Sequence, residues 1–277
     1  MNRKQNDWNL YKYDFDTNGA DLILNDSNDS WIERAPFIVP GEIGTWNPKR
    51  GFSFAIMDDG EIIWISEKDG FSHIYRNRPD GRPINQVTRG DWEVNNISAI
   101  DYNNEIIYFS AKKETETEDH LYSIKFNGSR LKRLTKEKGS HSSSFSPTLN
   151  YFINSYSSLT VPPKTLIRED NGKIVRILRE TDKSKFDAYN LTYPQLINIF
   201  TDDGTRLNAL ITYPHNFDPM KQYPVILYNY GGPGSQLVIN RWGAGSHTLH
   251  QYFASRDFII FSFDNRGTGG RLSLIHI

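Results

Sequence analysis

Cysteine is absent from the chain, which has 277 residues. Disulfide bonds, zinc sites with thiolate ligands and a cysteine nucleophile are therefore excluded. A chain without cysteine is compatible both with the reducing cytoplasm and with an oxidising, exported compartment. The sequence thus leaves the localisation open.

Long apolar runs and an excess of one charge are also lacking. No stretch approaches the roughly 18 apolar residues of a membrane-spanning helix, and no apolar run follows the first basic residues, so neither a transmembrane helix nor a signal peptide is visible. Lys and Arg number 32 against 33 Asp and Glu, so the net charge is −1. The chain therefore lacks the excess of basic residues that is typical of proteins that bind nucleic acid. We also expect no metal site and no cofactor.

The chain does contain many aromatic residues, at 13%, and an internal repeat of hairpins. Each copy consists of a strand, a polar turn with Asn-Gly or Asp-Gly, and a second strand. Such turns are a strong hairpin signal, because these residues adopt the left-handed conformation at little steric cost. Each turn glycine follows a Tyr or Leu by six residues, and these glycines are Gly19, Gly81, Gly128 and Gly172.

An apolar strand precedes each of the last three hairpins, in residues 60–66, 104–110 and 150–156. A strand pair followed by a hairpin, recurring every 44 to 47 residues, matches the four-stranded blade of a β-propeller. A β-sandwich whose spacings agree by chance is the alternative. Three full blades and one hairpin do not close a ring. We therefore expect a partial propeller of about four blades or part-blades over residues 1–185, with its N-terminal blades missing.

Two features of the repeat region could be mistaken for ligand sites. His73 and His120 occupy equivalent positions in different blades, which favours a packing role over metal ligation. The charged segment within 111–119 is expected to be a solvated loop between blade strands.

The pattern changes after a weakly periodic segment, 181–192. A strand, a helix and a second strand then predict a βαβ crossover, and hence an α/β domain over residues 186–277. The near-continuous apolar run of its first long strand is typical of a strand buried on both faces. The predicted elements are two strands around an Asp-Gly turn in 193–214, a buried strand in 223–230, a helix in 242–256 and a buried strand in 257–267.

A glycine-rich loop follows the strand that ends at Tyr230. In an open α/β sheet, chemistry gathers at the carboxyl ends of the strands. A phosphate cradle is one interpretation of the loop, but G-x-G-x-x-G is absent and no Lys-Ser or Lys-Thr follows. The other interpretation is the loop of an α/β-hydrolase that supplies donors to an oxyanion hole.

A propeller that leads into an α/β-hydrolase resembles the prolyl oligopeptidase superfamily of serine peptidases. Within it, the sequence is similar to the dipeptidyl peptidase IV family, especially its bacterial members. The similarity runs from about residue 2 to residue 271. Motifs from both parts carry it: WISEKDGFSHIY (64–75) and TRGDWEV (88–94) in the propeller, then YPVILYNYGGPGSQ (223–236) and FSFDNRGTGGR (261–271) in the hydrolase.

The resemblance implies a mainly β fold, in which a partial β-propeller is followed by the N-terminal part of an α/β-hydrolase domain. Tyr230 matches the family tyrosine whose hydroxyl points into the oxyanion hole, and a phenol is a hydrogen-bond donor at neutral pH. Gly231, Gly232 and Pro233 would shape the loop that orients this tyrosine. Arg266 is interpreted as a structural ion-pair former rather than a catalytic residue.

The nucleophile, acid and base of a hydrolase are not found in this chain. The nucleophile elbow G-x-S-x-G does not occur. His247 and His250 fall in the predicted helix, and His276 lies in LSLIHI, an ending that departs from the family pattern after Arg271. The paired glutamates by which the family's propeller holds a substrate amine are also missing. We therefore interpret the chain as a central fragment, truncated near residue 271 and itself inactive.

The resemblance implies that the parent is a serine peptidase that removes N-terminal dipeptides and prefers Pro or Ala at the second position. Peptides would be its substrates, a homodimer is possible, and a periplasmic or other extracytoplasmic location is suggested by the family alone. Two alternatives remain: an acylaminoacyl peptidase or oligopeptidase of the same superfamily, and a non-catalytic propeller that binds peptides.

Overall fold

The computed structural model of the chain describes residues 2–4, 6–29, 32, 53–232, 235–244 and 248–270. The segment after Arg271, with its LSLIHI ending, lies outside these residues. Within the described ranges, no helix is long and apolar enough to cross a bilayer.

Three successive four-stranded antiparallel sheets follow a two-stranded hairpin, and in each sheet every strand pairs with the next one in sequence. These meanders confirm the predicted propeller blades. The N-terminal hairpin consists of β1 Asp7–Asp14 and β2 Gly19–Ser27. The first blade consists of β3 Phe54–Ile56, β4 Ile62–Ser66, β5 His73–Asn77 and β6 Pro83–Gln86. The second consists of β7 Val94–Asp101, β8 Ile106–Ala111, β9 His120–Lys125 and β10 Lys132–Arg133. The third consists of β11 Ser140–Phe145, β12 Tyr151–Ser157, β13 Lys164–Glu169 and β14 Ile174–Glu180.

The repeated turn glycines bring each blade onto the preceding one. Gly81 has φ +83°, and a Cβ added there would lie 1.7 Å from the carbonyl oxygen of Ile23 in β2. Gly172 has φ +93°, and its Cβ would lie 2.3 Å from the carbonyl oxygen of Leu134. Any side chain at these positions would therefore force neighbouring blades apart.

Side chains alternate in direction along each strand, so the buried residues of a blade are divided between its two faces. In β8, Ile107 and Phe109 pack with the first blade, whereas Tyr108 packs with the third. The β1–β2 hairpin covers the other face of the first blade through a cluster that includes Trp8 and Trp64. Because successive residues of a strand point to opposite faces, a run that is apolar throughout fills both interfaces at once.

The repeated histidines are structural, as predicted. His73 and His120 are 1% and 0% exposed, and each has its Nδ1 atom 3.1 Å from the hydroxyl of a threonine fifteen residues later, Thr88 or Thr135. The same hydroxyls accept hydrogen bonds from the amides that follow the histidines. Burial lowers the pKa of His73, which favours the neutral ring.

The outer face of the third blade differs from the other blade faces because it is exposed. Tyr151 and Ile153 of β12 are 49% and 48% exposed, and every residue of β14 is exposed. Among the described residues, no further sheet packs on this face as the first and second blades pack on each other.

A mixed sheet follows, with the strand order β15-β16-β18-β17. Its strands are β15 Gln195–Phe200, β16 Arg206–Thr212, β17 Val225–Leu227 and β18 Ile259–Phe263. Helix α1, Thr248–Ala254, lies in sequence between the parallel pair β17 and β18, which agrees with the predicted crossover. A 3-10 helix, Lys183–Tyr189, spans the boundary predicted at 185/186, and the division into domains remains a prediction.

The prediction that residues 223–230 are a strand buried on both faces is wrong. Only Val225–Leu227 forms a strand, and its first and last residues, Val225 and Leu227, are 59% and 61% exposed. In the part of the chain that the structure describes, β17 is an edge strand that pairs only with β18. An apolar run therefore does not reveal whether a strand is central or at an edge.

We predict that Phe109→Ala destabilises the chain strongly. Phe109 is fully buried between the first and second blades, so its loss leaves a cavity that should lower the free energy of unfolding by roughly 3–5 kcal/mol. Phe15→Ala is the matched control, because Phe15 is 89% exposed and its loss should change stability by less than about 0.5 kcal/mol. Urea denaturation followed by tryptophan fluorescence measures both, and equal losses would contradict the assignment of this core.

Candidate active site

The carboxyl ends of β17 and β18 lie side by side. The two strands are parallel, with Val225 opposite Ile259, so the loop after β17 and the turn after β18 leave the sheet at the same edge. The side-chain amide of Asn265 donates a hydrogen bond of 2.9 Å to the carbonyl oxygen of Gly231. The structure thus joins the two segments that the sequence singled out.

Tyr230 lies at this edge with its side chain accessible. It is 69% exposed, and its hydroxyl makes no hydrogen bond to any described residue. Its ring lies against Gly232, where an added Cβ would come within 2.4 Å of the ring carbon Cε1. Gly231 has φ +71°, a conformation that favours glycine. The two glycines therefore allow the bend of the loop and the position of the ring, whereas Pro233 lies outside the described residues.

Asp264 fixes the other end of the glycine-rich loop. It is 3% exposed, and its two carboxylate oxygens accept hydrogen bonds from the backbone amides of Leu237 and Val238, at 2.9 and 3.1 Å. A buried carboxylate needs such donors, because an unpaired charge is costly to remove from water. The loop is therefore held by side chains at both Gly231 and Leu237.

Arg266 forms an ion pair, as predicted. Its guanidinium lies 2.5 Å from the carboxylate of Asp203, in the turn between β15 and β16, and both side chains are more than half exposed. Hydrogen bonds from Thr201 and Arg266 hold the pKa of Asp203 well below its ordinary value. The pair ties the turn after β18 to a neighbouring hairpin.

The charged segment within 111–119 forms a loop between the blade strands β8 and β9, as predicted, but the expectation that this loop is solvated is wrong. Thr117 is only 6% exposed, and Glu116 accepts hydrogen bonds from Arg206 at 2.7 and 2.8 Å and from Asn208 at 3.1 Å. Gln236 also donates a hydrogen bond of 2.7 Å to the backbone carbonyl of Glu116. The loop is the part of the second blade that contacts the mixed sheet.

A second set of contacts joins the blades to the segment 235–244. The side chain of Asn240 donates a hydrogen bond of 2.6 Å to the carboxylate of Glu118 and accepts one of 3.0 Å from the backbone amide of Leu159. Its backbone amide donates a further hydrogen bond of 2.8 Å to the carbonyl oxygen of Thr117. Burial raises the pKa of Glu118, but hydrogen bonds from His120 and Asn240 outweigh it and bring that pKa below its ordinary value. A single asparagine therefore links the second blade, the third blade and the loop after Tyr230.

Sequence reasoning missed this interface. The spacing of Glu114, Glu116 and Glu118 by two residues would suggest one acidic face, but the chain turns here and Glu114 lies against the side chains of its own blade. Glu116 and Glu118 instead bind Arg206 and Asn240, which lie 90 and 122 residues further along the chain. Nothing local in the sequence indicates these partners.

Histidines do not form a catalytic group at this edge in the described part of the chain. His250 is 4% exposed and packs edge-on against the ring of Tyr228, with ring centres 4.8 Å apart. His247 and His276 lie outside the described residues. Within the described ranges, no three His, Asp or Glu side chains are grouped so as to hold a metal ion.

Comparisons with known proteins are consistent across both parts of the chain. The family model for the dipeptidyl peptidase IV (DPP IV) N-terminal region matches residues 1–163. The dipeptidyl peptidase 4 proteins of Arthroderma otae and Trichophyton rubrum are 31% identical to the chain over 252 residues, which are 88% of this chain and 31% of each relative. The crystal structure of Porphyromonas gingivalis dipeptidyl peptidase 4 is similar with a TM-score of 0.85 at 29% identity, covering 98% of this chain and 36% of that one. The chain thus spans about a third of the length of these relatives.

We predict that Asp264→Asn loosens the glycine-rich loop. An amide side chain has only one acceptor oxygen for the two backbone donors, so the free energy of unfolding should fall by roughly 1–3 kcal/mol. The amides of Leu237 and Val238 should exchange their hydrogens faster, as measured by NMR. Asp203→Asn is the control, since its carboxylate is exposed and should have a much smaller effect. Unchanged exchange at both amides would show that Asp264 does not hold the loop.

Proposed function

The chain belongs to the dipeptidyl peptidase IV family, and from this we propose that its parent protein is a serine peptidase that removes dipeptides from the N-termini of peptides. The observation that carries the proposal is Tyr230. Its accessible hydroxyl, with no hydrogen-bond partner among the described residues, lies at the carboxyl edge of the mixed sheet, where α/β enzymes place their reactive groups.

The reaction would be an acyl transfer. A serine oxygen attacks the scissile carbonyl carbon, the carbonyl oxygen takes up the negative charge, and the amine leaves with a proton, so that a serine ester remains for water to hydrolyse. The Tyr230 hydroxyl would donate a hydrogen bond to the charged oxygen. One such donor, held in place before the reaction, is worth roughly 2.7–4 kcal/mol in other hydrolases. Tyr230 can serve in this way because Gly232 leaves space for its ring and Asn265 holds the loop.

The finer parts of the proposal rest on resemblance to the family. A preference for Pro or Ala at the second position belongs to them, as does pairing of the whole protein into a homodimer. The names of the relatives favour a dipeptidyl peptidase over an acylaminoacyl peptidase. They also favour a peptidase over a propeller that only binds peptides.

We predict that Tyr230→Phe in the full-length peptidase lowers kcat by about 10²–10³-fold and leaves KM nearly unchanged. The ring is retained, and only the donor to the oxyanion is lost. Steady-state kinetics on a Gly-Pro chromogenic substrate measure the effect. Tyr252→Phe is the matched control, because Tyr252 is 48% exposed but lies in α1, outside the glycine-rich loop. An unchanged kcat for Tyr230→Phe would remove Tyr230 from the site.

We also predict that the 277-residue chain alone does not hydrolyse this substrate, because it contains no G-x-S-x-G pentapeptide. The assay is the same, with the full-length peptidase as the positive control. Turnover that co-purifies with the chain and disappears in its Tyr230→Phe variant would show that a nucleophile outside that motif exists.

A further inference from the structure

The turn that follows β18, residues 264–270, is held to its surroundings at three places. At its start, the buried carboxylate of Asp264 binds two backbone amides of the glycine-rich loop. In its middle, Arg266 forms its ion pair with the turn between β15 and β16. At its end, the backbone amide of Gly270 donates a hydrogen bond of 2.7 Å to the carboxylate of Glu93, which is 3% exposed and directly precedes β7. The turn is therefore anchored both to the mixed sheet and to the second blade.

Hydrogen bonds within this turn fix the side chain of Asn265. Its Oδ1 atom accepts a hydrogen bond of 3.0 Å from the backbone amide of Gly267. Its backbone carbonyl accepts another of 3.0 Å from the hydroxyl of Thr268, which is 5% exposed. An asparagine that binds the amide two residues further on is typical of tight turns. Because the amide group is planar and its oxygen is bound within the turn, the direction of its amino group, Nδ2, is fixed as well.

The Nδ2 atom of Asn265 lies against the residue that follows Tyr230. It donates the hydrogen bond of 2.9 Å to the carbonyl oxygen of Gly231. Glycine has more backbone freedom than any other residue, so two consecutive glycines after Tyr230 would leave the loop free to bend unless a neighbour holds it. In the described part of the chain, no other side chain makes a hydrogen bond to residues 229–232. Asn265 is thus the side chain that restrains this part of the loop.

We propose that Asn265 is a positioning residue of the peptidase, which keeps the Tyr230 hydroxyl in place for the charged oxygen by holding the carbonyl group of Gly231. The inference rests on the proposed function, in which Tyr230 donates to that oxygen. Such a donor is effective because it is oriented before the reaction begins. A displacement of about 1 Å at a reacting centre can cost roughly 10²-fold in rate, so a bond that restrains the loop affects the chemical step.

Steady-state kinetics of the full-length peptidase on the Gly-Pro chromogenic substrate test the proposal. Asn265→Ala should lower kcat by about 10- to 100-fold and leave KM nearly unchanged, because the phenol is retained but is no longer held. Asn127→Ala is the matched control. Asn127 also accepts a hydrogen bond of 3.0 Å from the amide two residues further on, but it lies in an exposed hairpin turn of the second blade, so its loss should not change kcat. An unchanged kcat in Asn265→Ala, or an equal loss in both variants, would overturn the proposal.

Asn265→Asp tests the donor while it preserves the turn. The aspartate keeps an acceptor oxygen for the amide of Gly267, but at neutral pH it is ionised and has no proton to donate to Gly231. This variant should also lower kcat by at least about tenfold. Full activity of Asn265→Asp would show that the bond to Gly231 does not matter and would overturn the proposal.

A double-mutant cycle with Tyr230→Phe separates this inference from the proposed function. In the Tyr230→Phe background, Asn265→Ala should lower kcat by less than about twofold, because no hydroxyl remains to be positioned. A loss of the same size in both backgrounds would show that Asn265 acts independently of Tyr230, and it would overturn this inference while the proposed function stands. An unchanged kcat in Tyr230→Phe alone would instead overturn the proposed role of Tyr230, and this inference with it.

Discussion

Contact between backbones, rather than between side chains, sets the spacing of the blades. The turn of each hairpin places a glycine against a carbonyl group of the preceding sheet, at Ile23 for Gly81, at Val87 for Gly128 and at Leu134 for Gly172. Only at this close approach can the alternating apolar residues of neighbouring blades interdigitate. The cores that include Phe109 and Tyr108 depend on it, because a separation even one methyl group wider would open voids along both faces.

The stacked blades also contact the segments that form the candidate site and hold them in position. The loop 111–119 of the second blade contacts the mixed sheet, where Glu116 binds Arg206, and the segment 235–244, where Glu118 binds Asn240. The segment that contains Asn240 continues from the loop that carries Tyr230. On the other side of this segment, the carboxylate of Asp264 accepts a hydrogen bond from the backbone amide of Leu237. The position of one tyrosine is therefore determined by contacts from two blades and from the neighbouring strand.

The parts of the fold that depend on local chemistry could be predicted from the sequence. Asn-Gly and Asp-Gly turns between strands of alternating polarity specify hairpins, because the φ angles of the turn and the direction of each side chain are local properties. The recurrence of the turn glycines, such as Gly81 and Gly128, extended the prediction from single hairpins to four-stranded blades. Burial of Val225 and exposure of Thr117 were predicted wrongly. The burial of each residue depends on which segments pack against it in the folded chain. The segment that contacts Thr117 contains Asn240, which lies far along the sequence. Arg266 was interpreted correctly because an arginine in a polar turn needs only a nearby carboxylate.

The free edge of the third blade has a consequence for how the chain behaves in solution. Among the described residues, strand β14 pairs only with β13, and no strand pairs with its other side. Such an edge invites strands of other molecules to add to it. Its sequence, IVRILRE, interrupts the apolar residues with Arg176 and Arg179. Charged side chains on an exposed edge strand disfavour its addition to other sheets, so Arg176 and Arg179 reduce the tendency of this edge to assemble.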